Sequence, residues 1–163
     1  MVNHFNQQSD RRYFLKQVIY PCALSFFPLL KSQDFMDPRG VIIRPSKYSV
    51  KETMDRLVGF LEQHGVTVYT RINQQSELQK AGIAIPPLEF ILFGNPKAGG
   101  PIMAENPLVA LDLPLKIIAW EDTEKKVWYA FNEAAYLGER YSLPQSLVSV
   151  LDLNAVTTKA LNG

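Results

Sequence analysis

Five short runs rich in β-branched and aromatic residues constrain this chain more than anything else in it: "VIIR" from Val41, "VTVYTRIN" from Val66, "LEFILFG" from Leu88, "LKIIAWED" from Leu115 and "KKVWYAFNE" from Lys125. Each has the length of a strand, and such residues suit a pleated, half-buried surface. Strands are predicted over Val41–Arg44, Val66–Ile72 and Leu88–Phe93, with the last two runs joined through the charged turn Asp122–Lys125 as a hairpin. After the first strand, Ser49-Val-Lys-Glu52 has the form of a capping box, the serine oxygen serving a free N–H and the glutamate reaching back. Val50, Met54, Leu57, Val58 and Leu61 then fall at helical spacing, and Gly65 supplies a left-handed stop. "QQSELQKAG" makes a short helix closed by Gly82, and a final helix is expected around Gln145–Leu161. The order β-α-β-(short α)-β-β-β-α predicts one α+β domain over residues 40–163, a single antiparallel sheet with helices packed on one face.

At 163 residues, 47% of them hydrophobic, the chain can bury a real core. Its formal net charge of +1 hides an asymmetry. Arg11, Arg12, Lys16 and Lys31 face Asp10 alone in residues 1–33, leaving residues 34–163 mildly acidic. With no basic stripe, nucleic-acid binding is not expected. The single cysteine, Cys22, rules out an internal disulfide, and two histidines, His4 and His64, are too few for a multi-histidine metal site. No cofactor is expected.

Residues 1–33 read as an address. A polar start ends in Arg11-Arg12, an uncharged run follows from Gln17 to Leu30, and Lys31 closes it. The run is shorter than the ~20 residues that span a bilayer, so a transmembrane helix is the weaker reading. "RRYFLK" resembles the twin-arginine signal of proteins exported already folded. Pro21 and Pro28 interrupt the run, and no Ala-x-Ala cleavage site follows. Tyr20 and Pro21 before Cys22 argue against a lipid anchor. The expectation is an exported protein, periplasmic or in an equivalent lumen. The alternative is a cytoplasmic protein whose first segment is an amphipathic helix packed on the domain.

Six of the eleven prolines lie between Pro86 and Pro114, and among them stands "GNPKAGG", Gly94 to Gly100. Gly94 and Gly99 have the spacing of a phosphate-binding loop, but Gly100 and Pro101 stand where that loop needs Lys and Ser or Thr. Nucleotide binding is therefore not expected. Asn95, before Pro96, is held extended, Gly99-Gly100 turn the chain, and Pro101 suits the first position of a short helix over Ile102–Glu105. That helix start leaves N–H groups near Lys97, where a small anion could sit.

"FGNPKAGGPIM", "LDLPLKIIAWED" and "FNEAAYLGERYSL", with "RIN" and "AGIAIPP" upstream, resemble the domain-of-unknown-function 302 family from Gly40 to the C-terminus. The resemblance implies an α+β domain of the TATA-binding-protein-like fold class, dimeric, with no established activity. Members of that family carry Asp-His where this chain has Asn73-Gln74, a threonine at Gly100, and often a histidine near Tyr141. The best acid–base candidates implied by the resemblance are thus missing here.

The candidate site is a small polar pocket walled by Asn95 and the N–H groups of Gly99 and Gly100, with Lys97 or Lys116 supplying positive charge. The competing explanation makes the same residues a scaffold turn with solvated lysines. Lys116 opens an apolar strand, where its head reaches water or finds a carboxylate. Glu89, on the side of Ile91 and Phe93, is either a buried partner for a cation or solvent-facing. Asp112, Glu121 and Asp122 sit at turns, His64 suits a helix C-terminus, and Trp120, Trp128, Tyr129 and Phe131 serve packing. A small-ligand-binding or interaction module, taking a small molecule or an anion, ranks first. An enzyme working through Lys116 or a carboxylate ranks second, and a nucleic-acid binder last.

Overall fold

Val41–Ser46 forms the first strand, β1, of a computed structural model that describes residues 38–162. The expected export segment, residues 1–33, lies outside the described residues. Helix α1 (Val50–Gln63) starts at Ser49, whose Oγ accepts the Glu52 N–H at 3.2 Å. The reciprocal half of the capping box is not made, because the Glu52 carboxylate takes the Arg56 Nε one turn on, at 3.2 Å. Gly65, at φ +71°, turns the chain out of the helix.

Strand β2 (Thr67–Asn73) carries a bulge between Val68 and Thr70 that leaves Tyr69 half exposed. Asn73 then caps α2 (Gln74–Lys80), its Oδ1 accepting the Ser76 N–H at 2.8 Å. Strand β3 (Leu88–Gly94) leads directly into α3 (Pro96–Glu105). The sequence predicted a turn here and a helix beginning only near Pro101. Asn95 corrects that expectation: its Oδ1 accepts the Lys97 N–H at 2.9 Å, and Pro96 fills the first helical position. Pro101 lies inside the helix, where it lacks the N–H that would meet the Lys97 carbonyl.

A 3₁₀ turn (Pro107–Leu111) precedes β4 (Leu115–Glu121) and β5 (Val127–Asn132). Their hairpin is fixed by Asp122, which accepts from the Glu124 and Lys126 N–H groups at 2.8 and 2.9 Å and from Trp128 Nε1 at 2.7 Å. Helix α4 (Ala134–Tyr141) was not predicted, although Ala134, Leu137 and Tyr141 share one helical face. The single final helix is also corrected. It is divided into α5 (Gln145–Val148), a 3₁₀ turn (Ser149–Leu151) and α6 (Asn154–Asn162). Asp152 leaves helical geometry, and its Oδ1 accepts the Asn154 N–H at 2.9 Å, starting a new helix.

The strands form one sheet in the order β1-β5-β4-β3-β2, every neighbouring pair antiparallel. This is the α+β architecture that the sequence predicted. Alternation assigns its faces: Glu89, Ile91, Phe93, Ile117, Ala119, Tyr129 and Phe131 point to α1 and α6 and are buried. Met54 and Leu57 of α1, fully buried against them, are each worth about 1.5–3 kcal/mol. A second apolar cluster, built on Ile102, Val109, Leu137, Tyr141 and Leu151, ties α3 to α4 and the segment before α6. On the opposite face, Ile43, Phe90, Ile118, Trp120 and Trp128 belong to neither cluster and remain half-buried or partly exposed.

Candidate functional site

The end of β3 delivers Phe93 to a place where three other elements converge: Leu61 near the end of α1, α3, and the chain from Val150 into α6. Between them lies a pocket of about 360 Å³. Its walls are apolar, with Phe93, Ile102 and Leu151 almost wholly buried behind it. Large exposed side chains stand on its rim: Tyr69, Met103 and Val150, exposed at 50%, 39% and 45%, all border it. Two sequence features build this rim. The bulge in β2 turns Tyr69 outward, and the interruption before α6 brings Val150 and Leu151 of the 3₁₀ turn, then Asp152 and Leu153, to the pocket.

The predicted site residues are distributed over two faces. Asn95 and Gly99 border the pocket. The Gly99 N–H donates to the Asn95 carbonyl at 2.8 Å, so it is committed to the helix. Gly100 continues α3 without bordering the pocket, and Lys97 is exposed outside it. Lys116 is on the opposite face of the sheet, its Nζ 5.5 Å from the centre of the Phe90 ring. There it borders a second depression, of about 480 Å³, together with Asp112 and Asn132. The structure therefore does not bring the two lysines together around "GNPKAGG".

Two polar clusters support this frame. Beneath α1, Arg71 Nη2 lies 2.6 Å from Glu89 Oε2, Arg71 Nη1 lies 2.5 Å from Asp55 Oδ1, and Nη2 also donates to the Lys51 carbonyl. Asn73 Nδ2 donates to Glu89 Oε1 at 3.2 Å, so the buried carboxylate has a partner on each oxygen. Hydrogen bonds from Lys51 and then Arg71 hold the Asp55 carboxyl below its ordinary pKa. Burial pulls the Arg71 guanidinium down, but its bonds to Asp55 and Glu89 outweigh this and raise it. At the other cluster, Tyr141 Oη donates to Asp112 Oδ2 at 2.5 Å, Asn132 Nδ2 donates to Oδ1 at 3.3 Å, and Arg140 lies 3.4 Å away. The bond to Asp112, with burial, raises the Tyr141 phenol. In both networks the carboxylates are paired within the protein. Among the described residues no group of His, Cys, Asp and Glu is arranged to hold a metal ion.

Sequence reasoning missed the pocket itself. Tyr69, Met103 and Asp152 come from separate stretches, and no local motif marks them. The signal that existed was indirect: the helix-capping Asn95-Pro96 pair aims α3 from the end of β3.

The fold and its pocket define a small open-sheet α+β domain with a preformed apolar cavity at one end. The chain belongs to the family described as "Domain of unknown function DUF302", whose profile matches residues 42–161. The crystal structure of an uncharacterized conserved protein DUF302 from Bacillus stearothermophilus shares the fold, with a TM-score of 0.64 at 20% identity over 76% of this chain and 97% of that one. In sequence the chain is similar to proteins named "Fluoride-specific ion channel FluC 1" of Brucella suis and of Brucella abortus, 37% identical over 119 residues in each case. The match covers 73% of this chain but only 46% and 43% of those proteins, so the chain spans less than half their length.

Proposed function

We propose that this protein is a ligand-binding domain whose site is the apolar pocket between Phe93, α3 and the segment before α6. The observation that carries this reading is the pocket itself: it is open, ringed by exposed apolar side chains, and its volume falls within the roughly 300–1,000 Å³ of small-molecule sites. No catalytic step is needed to account for it.

The Brucella relatives add a second argument. A helix that crosses a bilayer needs about 20 apolar residues, and no helix among the described residues is long and apolar enough to do so. On this reading the part shared with those proteins has a sensing or docking role.

The test uses the neutral apolar fluorophore N-phenyl-1-naphthylamine and the full chain. A Cβ at Gly99, which borders the pocket, would meet only the Met103 methyl, at 3.9 Å, so the position admits a side chain and Gly99→Leu is the variant chosen to occupy the pocket. Fluorescence should rise with the wild type and not with Gly99→Leu, whose circular dichroism should be unchanged. Equal fluorescence from both proteins would remove the pocket as the site.

A catalytic or anion-binding use of Lys116 is the second reading, favoured by its place beside Asp112 and Asn132. An activity or anion affinity lost in Lys116→Met and kept in Gly99→Leu would move the site to that face. The same reading of the chain has it exported through the twin-arginine-like segment, which predicts that changing Arg11 and Arg12 to Lys retains it inside the cell. The homodimer that the family resemblance implies belongs to the same reading, and sedimentation equilibrium tests it.

A further inference from the structure

We infer that the pocket discriminates by charge: among small apolar molecules it takes those ending in a cationic or neutral donor group and disfavours those ending in an anion. This rests on the ligand-binding reading above and adds the chemistry of the ligand's polar end. Asp152 is the only charged residue bordering the pocket among the described residues, and no lysine, arginine or histidine borders it. The neutral polar side chains there are Asn95 and Tyr69. An anionic ligand would therefore meet a carboxylate and no compensating cation.

The carboxylate is also held in place. Asp152 Oδ1 accepts from both the N–H and the Nδ2 of Asn154, at 2.9 and 2.7 Å. Asn154 is in turn fixed by Arg44 Nη2, which donates to its Oδ1 at 2.8 Å. Arg44 itself does not border the pocket. The second oxygen of Asp152 accepts from no protein donor among the described residues, which leaves it available to a ligand's N–H or O–H. A ligand with an apolar body lying against Phe93 and Ile102 would bring its polar end out at the rim, where Asp152 stands exposed. An ammonium or hydroxyl group there gains a charge-assisted bond.

The experiment compares octylamine, 1-octanol and octanoate, which share one apolar body, against the full chain carrying methyl-labelled methionine. Met103, on the rim, should shift on titration, while Met54, fully buried and not bordering the pocket, should stay still and report an intact fold. Octylamine should bind about tenfold more tightly than octanoate at low salt, with octanol between them, the size expected when an exposed charge attracts one and repels the other. Asp152→Asn keeps an oxygen for the Asn154 N–H and should reduce that ratio to about threefold or less. If Met103 responds equally to all three, or most strongly to octanoate, or if the ratio survives Asp152→Asn, charge selection is overturned while the pocket remains a ligand site. If Met103 responds to none of them, the ligand-binding reading fails and this inference with it.

Discussion

Arg71 on β2 and Glu89 on β3 are locked together beneath α1, guanidinium to carboxylate, in two contacts of 2.6 and 2.7 Å to one oxygen. Through Asp55 and the Lys51 carbonyl the same arginine holds α1 to the sheet.

Replacing Arg71 by Met leaves Glu89, only 7% exposed, with the Asn73 amide as its remaining partner. Stability should fall by about 3 kcal/mol, the usual consequence of orphaning a buried charge, seen as a lower urea midpoint at unchanged slope. Asp55→Asn, on the exposed side, should cost less than about 1 kcal/mol. Because Asp55 is held below its unfolded value, its contribution is present at neutral pH and lost as pH falls through the folded value. The acid limb of the stability profile should therefore shrink in that variant. Equal losses from both substitutions would mean that Arg71 does not anchor the buried side.

Asn73→Asp restores the acid that the family resemblance places there, 3.2 Å from Glu89 Oε1. Two adjacent carboxylates raise one folded pKa above the ordinary value of about 4, so the variant should match the wild type near pH 4. As pH rises through the raised value it should lose about 1–3 kcal/mol. A variant equally stable at pH 8 would show that Arg71 neutralises both acids.

Tyr141→Phe removes the phenol that donates to Asp112 and should cost about 1–3 kcal/mol. The folded phenol is raised above its unfolded value, so its contribution is complete below about pH 10 and disappears as pH climbs through the folded value. The alkaline limb should flatten in Tyr141→Phe. Parallel alkaline limbs in both proteins would assign the loss to packing alone.

Gly138 on α4 leaves no room for a side chain, since a Cβ there would lie 2.5 Å from Val148 Cγ2. Gly138→Ala should therefore destabilise by about 1–3 kcal/mol despite its better helix propensity. Val148→Ala in the same chain should recover part of that loss. Absence of recovery in the double mutant would mean that α4 and α5 are not packed through this pair.

Residues 40–163 expressed alone should fold, because the sheet, its caps and both apolar clusters lie within them. A random-coil circular dichroism spectrum from that span, beside a folded full chain, would make the first segment structural.

The strands were legible because each is short, β-branched and bounded by turn residues, and α1 was legible from Ser49, Gly65 and the spacing between them. Glu89 could not be resolved, since alternation alone does not say which face of a strand is covered. The start of α3 was misplaced because two prolines compete for its first position, and Asn95 decides between them through its side chain. Helix α4 escaped notice because its apolar face is only three residues deep. The break at Asp152 was invisible because one capping carboxylate inside a helical pattern looks like any surface acid. The start of α3 and the break at Asp152 both border the pocket, which is why its residues were only partly anticipated.

The strand order gives the two outer positions of the sheet to the two strands made earliest. Val41 finds its partner in Asn132, about 90 residues later. On a ribosome adding roughly 5–20 residues per second, β1 waits some 5–18 seconds for the strand it pairs with, while the β4–β5 hairpin closes locally as soon as it emerges. For that interval β1 is an unpaired strand, and Pro45 within it limits wrong pairings because it offers no N–H to a neighbour. Ribosome-bound chains stopped before β5 should thus be the form of this protein most vulnerable to proteases.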